Sequence, residues 1–591
     1  MFCPPARVGV ITKEPFASCV SFRSLSSTKQ TCFAVRNDMN DLSRVFLGTR
    51  LVVQALSRTK GFNNDTTRWE RLRHHASEIL EKAMLQYEGS NKNDTPTSST
   101  HSSNDADDGQ NTPLVESPKD LIGFSKVKND DVNDEFNLIA STNGNSIMRE
   151  QPIPSSQFSR VVGFGSLGAR LAFGAARDTV LSAFNSNGAS RKSMSDESAE
   201  QLAETLCRMR GAALKLGQML SVQDEGLLPP ALAKALERVK QNADYMPSSQ
   251  LHNQLRSQLG TDWRSKFLEF DEKPIAAASI GQVHKAKLPN GRAVAVKIQY
   301  PGVARSIASD LNNLKLLVTM TNLVPRGLYI DEIMRVAAVE LAEECDYLRE
   351  ASYQRRYRNL IINDPLLCEH TYVPEIFDEL TTGTLITSEF VNGVSIDKAH
   401  TLPASVRNAI ARTMLILTMK ELFEWRFVQS DPNFANYLYD HRRRSINCID
   451  FGASREYSKE FVDGYIELVW AAANKDREAL LSFSRKLGFL NGDEHQDMTS
   501  AHIEAALIVG EPFINNDPYD FGNSSLTQKI SQYGNTFMKY RLTPPPTEAY
   551  SLHRKLAGAF LLCIKLKACI PCRDILEAIY EEHVRRQSDS R

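Results

Sequence analysis

No run in this 591-residue chain approaches eighteen uncharged apolar residues, the length at which a helix spans a bilayer. The nearest stretch, 161–176, is glycine-rich and carries Arg170 in its middle, so a transmembrane helix is not indicated. Charge of one sign is not in excess either. Seventy Lys and Arg stand against 71 Asp and Glu, a net charge of −1, which removes the global electrostatic case for binding nucleic acid. Cysteine is scattered: ten residues lack the density of a disulfide scaffold. The close pair Cys569 and Cys572, with Cys563 nearby, has no second Cys/His pair at metal-ligand spacing, so buried structural thiols are expected. No seven-residue apolar core follows the first charges of the N-terminus, which argues against a secretory signal.

What is there begins with an acid-poor N-terminus. Residues 1–37 hold Arg7, Lys13, Arg23, Lys29 and Arg36 against Glu14 alone, among serine, alanine and valine. That is the composition of a mitochondrial presequence, bounded here at 1–40. Residues 41–58 set Leu42, Val45, Phe46, Val52, Val53 and Leu56 among Arg44, Arg50 and Arg58, a basic amphipathic helix. It either lies on an anionic membrane surface or packs on the main domain. A second helix is expected over 67–87, completing a segment from 41 to 88. From 89 to 157 the chain turns rich in Ser, Thr, Asn and Asp and buries too little apolar surface to offset ordering, so a disordered linker is expected. Over 194–221, Leu202, Leu206, Met209, Ala213, Leu216 and Leu220 step by 4, 3, 4, 3 and 4, one buried helical stripe. Near its end stand Lys215, Gly217 and Gln218. Either they are a solvated charge and its neighbours, or Gly217 permits close packing while Lys215 and Gln218 reach into a site.

The chemistry concentrates in 428–452. Two strand-like runs, 437–439 and 446–449, are joined by a basic turn at 440–444, with Asp431 and Asn436 before the first and Asp450-Phe451-Gly452 after the second. Asp-x-x-x-x-Asn, a hairpin, then Asp-Phe-Gly is the spacing of a kinase catalytic loop and metal-binding loop. Phosphoryl transfer from ATP needs Mg²⁺ held by hard oxygens, which Asn436 and Asp450 supply, and a carboxylate beside the acceptor, which fits Asp431. Upstream, 275–300 reads as a hairpin turning at Asn290-Gly291, and its second strand carries Lys297 behind alternating Val and Ala, placed to meet ATP phosphates. The loop ahead of it should be glycine-rich. Here it is Ala276, Ala277, Ala278 and Ser279, with Gly281 alone remaining. A helix over 331–359 offers Glu344, Asp346 and Glu350 as partners for the lysine. Strands are expected over 373–377 and 384–390, with Glu389 and Val391 at a hinge. From 402 to 427 the pattern is apolar nearly all round, as in the heart of a helical lobe. After Gly452 the chain soon turns helical, with neither the length nor the Ala-Pro-Glu of a peptide-holding activation segment.

Taken together, these residues resemble the UbiB-type, or aarF-domain-containing, atypical kinases. The motifs are KLGQ from Lys215, the alanine-rich loop, ECDYLREA from Glu344, QSDPNFANYLYD from Gln429 and DFGASREY from Asp450. AAANKDREAL and LGFLNGDE are similar to the eukaryotic mitochondrial branch, which supports coenzyme Q biosynthesis. The resemblance covers 158 to the C-terminus. It implies an α+β, protein-kinase-like two-lobed fold: an N-terminal helical extension (158–260) packed over the active site, an N-lobe (261–391) and a helical C-lobe (392–591). It implies that Lys297 contacts ATP phosphates and pairs with Glu350, that Glu344 and Asp346 engage Lys215, and that Lys215 and Gln218 fill the place where a peptide would enter. Asp431 becomes the catalytic carboxylate, Asn436 and Asp450 the Mg²⁺ ligands, and Ala276–Ser279, Gly281, Glu389 and Val391 border the nucleotide. Gln429 and Ser430 replace the usual His-Arg before Asp431, so loop phosphorylation has no arginine anchor.

The expected function is an Mg-ATP-dependent ATPase with little protein kinase activity, serving coenzyme Q synthesis on the matrix side of the mitochondrial inner membrane. Its partners would be coenzyme Q biosynthetic proteins, lipid precursors and the membrane surface, with a homodimer compatible with the resemblance. A phosphotransferase acting on a small molecule or lipid, and a non-catalytic nucleotide-binding scaffold, are the rival readings. Fused to a fluorescent protein, the full chain should enter mitochondria and the chain lacking residues 1–37 should not; import of the truncated chain would place the signal elsewhere.

Overall fold

The Asn290-Gly291 turn closes as its sequence predicts. Gly291 takes φ +85°, and the Arg292 amide donates to Asn290 Oδ1 at 3.0 Å. The computed structural model describes residues 150, 245–321, 330–431, 433–542 and 545–589. The presequence expected over 1–40, the helical segment expected over 41–88, the linker expected over 89–157 apart from residue 150, and the helix expected over 194–221 with Lys215, Gly217 and Gln218 lie outside the described residues.

Helix α1 (Ser248–Leu259) buries Leu251, Leu255 and Leu259 at four-residue steps, and Gly260 ends it at φ +92°. These leucines share one core with Trp263, Phe267 and the strands that follow, so α1 packs as part of the small lobe. The small-lobe sheet takes β1 (Glu269–Phe270), β2 (Ala276–Ala277), β3 (Gly281–Lys287), β4 (Ala293–Gln299) and a later strand from 385–389, in the order β1, β3, β4 and that strand, with β2 also paired to β3. Along β4, Val294, Val296 and Ile298 alternate into the core, which turns Lys297 to the opposite face.

Helices α2 (Val303–Thr321), α3 (Ile330–Glu344) and α4 (Tyr347–Ile362) follow. The single helix expected over 331–359 is thus two. Asp346 stands between them in extended conformation and caps α4, its Oδ1 accepting the Arg349 amide at 3.1 Å. Helix α4 belongs to both cores: Tyr347 and Ala351 pack in the small lobe, Tyr357 and Ile361 in the large. A second difference concerns the strand expected over 373–377. Pro374 cannot donate to a ladder, and the strand forms instead as β5 (Thr371–Tyr372), parallel to a strand of the large lobe. The other expected strand is β6 (Leu385–Glu389), paired with β4.

The large lobe begins with β7 (Val394–Ser395) and α5 (Ala404–Met419), buried along most of its length as its composition predicts. A π-helical turn, Lys420–Trp425, ends α5 at Arg426, which takes φ +51°. Strands β8 (Phe427–Gln429), β9 (Tyr437–Asp440), β10 (Ser445–Cys448) and β11 (Ser454–Glu456) frame the Asp431-to-Gly452 stretch; β5, β10, β9 and β7 form one sheet, and β8 pairs with β11. Helices α6 (Lys459–Ala473), α7 (Arg477–Lys486), α8 (Gln496–Gly510), α9 (Leu526–Ser531), α10 (Gly534–Tyr540), α11 (Thr547–Lys565) and α12 (Arg573–Asp589) complete the lobe, with β12 (Tyr519–Asp520) paired to β13 (Cys569–Ile570). Cys563 and Cys572 are buried as expected, whereas Cys569 is exposed. Among the described residues no group of three or more His, Cys, Asp or Glu is placed to hold a metal, and no helix is long and apolar enough to cross a membrane.

Two histidines are held neutral by burial, which pushes the pKa of His284 and His502 down to about 4. Between pH 6.5 and 4 the unfolded chain binds protons that the folded chain refuses, so stability falls as pH falls through that window. The slope reaches at most about 1.4 kcal/mol per pH unit for each histidine. Melting temperatures should drop from pH 7 to pH 5, and His284→Gln should flatten the decline; an unchanged slope would assign it to other groups.

Candidate active site

Strand β4 delivers Lys297 to the cleft between the lobes. Its Nζ lies 2.7 Å from Glu350 Oε1, in the first turn of α4, and 2.9 Å from Asp450 Oδ2 of the large lobe. Of the three acids expected to compete for this lysine, Glu350 is the partner, and it is only 2% exposed. Burial pushes the Glu350 carboxyl up to about 7, against the pull of Lys297 and with the push of Asp450. Burial works against the ammonium of Lys297, yet Asp450 and Glu350 together hold its pKa well above the ordinary value. The Tyr347 ring lies beside it, 5.2 Å from Nζ to the ring centre.

Asp346 serves as the cap of α4, while Glu344 is buried against the Asp-Phe-Gly turn. A Cβ at Gly452 would stand 3.3 Å from Glu350 Oε2 and 3.6 Å from Glu344 Cγ, so both glutamates converge on that glycine. Phe451 is fully buried, its ring 4.9 Å from that of Tyr357 on α4. The Gly452 amide donates to Asp450 Oδ1 at 3.1 Å, which orients the carboxylate.

In the catalytic loop Asp431 accepts the Asn433 amide on Oδ1 and the Asn436 side-chain amide on Oδ2, each at 3.2 Å. With its nitrogen so engaged, Asn436 keeps its carbonyl oxygen as the atom to offer a cation. The sequence brings together in space Lys297, Glu350 and Asp450, and separately Asp431 with Asn436. Hard oxygens from Asn436 and Asp450 beside a lysine form a donor set that fits Mg²⁺ with phosphate. Ser430, where kinases place arginine, donates its hydroxyl to the Ala453 carbonyl at 2.7 Å. Ser454 pairs with Gln429 across β11 and β8, and the Arg349 guanidinium donates to the Ser454 carbonyl at 3.0 Å.

The alanine-rich loop is a tight hairpin. Ala276 and Ala277 pair with Val283 and Gln282, and the Ala278 amide donates to the Gly281 carbonyl at 2.7 Å, with Ser279 at the bend. Gly281 is required for packing: a Cβ there would lie 2.6 Å from the Ile298 carbonyl oxygen and 2.7 Å from the Tyr347 hydroxyl. At the hinge, the Glu389 carboxylate accepts the Tyr372 hydroxyl at 2.5 Å. Val391 lines, with Glu389, Asn392, Arg442 and Arg443, a cavity of about 220 Å³ facing the turn between β9 and β10.

Sequence reasoning missed the charges that support this framework. Arg554 of α11 donates to Glu340 of α3 at 2.7 Å, both buried, and Arg455 pairs with Glu343 at 2.8 Å. Lys555 pairs with Glu421 at 2.5 Å. The partners stand more than a hundred residues apart, so no local spacing announces them.

A strand lysine paired to a helix glutamate, an Asp-Phe-Gly turn and a catalytic loop joined across two lobes define a kinase-like enzyme. The model of the ABC1 atypical kinase-like domain matches residues 238–484. "Atypical kinase COQ8B, mitochondrial" of Danio rerio is 46% identical over 453 residues, covering 76% of this chain and 72% of the relative. "Atypical kinase COQ8, mitochondrial" of Saccharomyces cerevisiae is 39% identical over 73% of this chain and 86% of its own length. A solved complex of Rv3197 with erythromycin from Mycobacterium tuberculosis aligns with TM-score 0.48 and 25% identity over 68% of this chain and 98% of that one. This chain belongs to the ABC1/UbiB family of atypical kinases. Within that family the relatives just described are mitochondrial atypical kinases of the COQ8 type, and it is this type that the chain resembles.

Lys297→Met would leave Glu350 and Asp450 facing each other across a buried gap with no cation between them. Urea denaturation should show a loss of about 3 kcal/mol, and adding Glu350→Gln should recover most of it. A double variant no more stable than Lys297→Met would mean the pair is not the source of the loss.

Proposed function

We propose that this chain binds Mg-ATP between its lobes and hydrolyses it, and that this turnover supports coenzyme Q biosynthesis on the matrix side of the mitochondrial inner membrane. One observation carries the reading. Lys297 and Glu350 meet Asp450 of the large lobe at the cleft, Asp431 and Asn436 stand together in that same lobe, and only six residues separate Gly452 from α6. That interval holds no platform for a peptide, which favours water or a small acceptor.

The roles follow from the chemistry of each group. Lys297 neutralises phosphate oxygens, and Glu350 holds the lysine in place. Asp450 and the Asn436 carbonyl offer oxygens to Mg²⁺, which supplies positive charge on the phosphates when bound. Asp431 orients the attacking water and takes its proton. Ala276, Ala277, Ala278, Ser279 and Gly281 cover the phosphates, and Glu389 and Val391 border the base through their backbone. Asp346 caps α4 through Oδ1 alone, so Glu344 and Asp346 together are the groups to engage Lys215 of the extension, with Gly217 and Gln218 beside it. Proteins of coenzyme Q biosynthesis, lipid precursors, a membrane surface and a second copy of the chain are the partners this reading supplies.

The test is phosphate release by the full chain with Mg²⁺ and ATP, with and without liposomes and a coenzyme Q precursor mimic. Turnover should rise with lipid and fall at least 100-fold in Asp450→Asn, for loss of a metal ligand at a charge-stabilised transition state costs about that much. A labelled acceptor would establish a phosphotransferase instead. Nucleotide binding without turnover under every condition would establish a scaffold.

A further inference from the structure

The catalytic loop carries Asp431 and Asn436 between two buried anchors, Gln429 and Tyr437. The anchors are tied to each other, the Tyr437 hydroxyl donating to Gln429 Oε1 at 2.9 Å. Both are also tied to one buried ion pair. Glu421, in the π-helical turn, accepts the Gln429 backbone N–H at 3.0 Å and the Tyr357 hydroxyl at 2.6 Å on the same oxygen. Its other oxygen lies 2.5 Å from Lys555 Nζ of α11, off the axis of a hydrogen bond, so this contact is an ion pair. The Lys555 ammonium in turn donates to the Tyr437 hydroxyl at 3.0 Å. Glu421 is 0% exposed and Lys555 4%.

A buried pair of this kind is a poor source of stability, because desolvating two charges cancels most of their attraction and an apolar replacement is often no less stable. What the pair does instead is visible in its contacts. It closes a ring around both ends of the loop, and Asp431 and Lys555 line the same small cavity under that loop. The anchor that kinases build from a His-Arg pair is absent here, since Gln429 and Ser430 occupy those positions. Lys555 moreover lies well beyond 484, where the match to the kinase-like domain ends.

We propose that Lys555 is a positioning residue for the catalytic loop, acting through Glu421 and Tyr437 to fix where Asp431 and Asn436 stand. Helix α11 is then part of the phosphoryl-transfer machinery. This inference rests on the Mg-ATP reading above. A shift of about 1 Å in a reacting group costs on the order of 100-fold in rate, so a ring that fixes both ends of a short loop has a direct effect on turnover.

The test uses the full chain and three readouts: melting temperature, binding of a non-hydrolysable ATP analogue as a function of Mg²⁺, and kcat against KM. Tyr437→Phe removes only the hydroxyl that joins Lys555 to Gln429. It should melt close to the wild type yet lose about tenfold or more in kcat and in Mg²⁺ affinity, the usual effect of removing a group that orients a metal ligand. Lys555→Arg should recover part of what Lys555→Met loses. The pair Lys555→Met with Glu421→Gln should recover melting temperature but not Mg²⁺ affinity. Variants that melt lower while keeping wild-type kcat and Mg²⁺ dependence would overturn the proposal and leave a structural ion pair. A wild-type chain that binds the analogue with Mg²⁺ but never turns it over sinks the ATPase reading alone, and the shift in Mg²⁺ affinity still decides the role of Lys555. A wild-type chain that binds no analogue overturns both.

Discussion

One ammonium shared by two carboxylates sets the terms for the whole site. Lys297 comes from the small-lobe sheet, Glu350 from a helix common to both lobes, and Asp450 from the large lobe. With one cation against two acids, the cluster carries excess negative charge in a place that water reaches poorly. Burial, with Asp450 adding to it, pushes the Glu350 carboxyl up to about 7, and the excess negative charge would favour any further cation placed beside Asp450. The arrangement that fixes the lobes in the free chain is therefore also one into which the proposed metal ion and its phosphates would fit.

Such a cluster depends on helix α4 sitting correctly at both ends, and the packing provides for this. Tyr347 and Ala351 anchor its first turns in the small-lobe core, Tyr357 and Ile361 its later turns in the large one. Because Phe451 packs on Tyr357, the Asp-Phe-Gly turn and Glu350 are seated by the same helix. The break at Asp346 matters here. On one continuous helix, residues six apart are turned about 120° from each other and lie about 9 Å apart along the axis, so Glu344 and Glu350 would not face one point. Ending α3 at Glu344 and starting α4 on a new axis lets both reach Gly452, where an added Cβ would touch Glu344 and press on Glu350.

This geometry also explains what was legible in the sequence. The Asn290-Gly291 turn, the alternating strand that carries Lys297, and the spacing from Asp431 to Asn436 to Asp450 are local, and each lies in the fold where its pattern puts it. The choice of Glu350 over its neighbours was not local, since it depends on which face of α4 meets β4. The helix break was signalled only by one aspartate able to cap, a weak mark inside a charged run. Displacement of the strand expected over 373–377 to Thr371–Tyr372 turned on Pro374 and on a partner strand some 75 residues away. Least visible were Glu421 with Lys555 and Glu340 with Arg554. Hydrophobic periodicity treats a buried charge as a surface residue, and only the fold reveals which opposite charge it meets.

The short passage after Gly452 has a consequence for control. In kinases switched by phosphorylation, a long segment is disordered until a phosphate pairs with arginine and orders it. Here β11 is already laid against β8, Ser430 and Arg349 hold the carbonyls of Ala453 and Ser454, and Arg455 is paired with Glu343. A segment held at every step by backbone and side-chain donors has no disordered state for a phosphate to remove. Nor does the catalytic loop supply the arginine that would receive one. Control by ordering a loop therefore has nothing to act on in this segment.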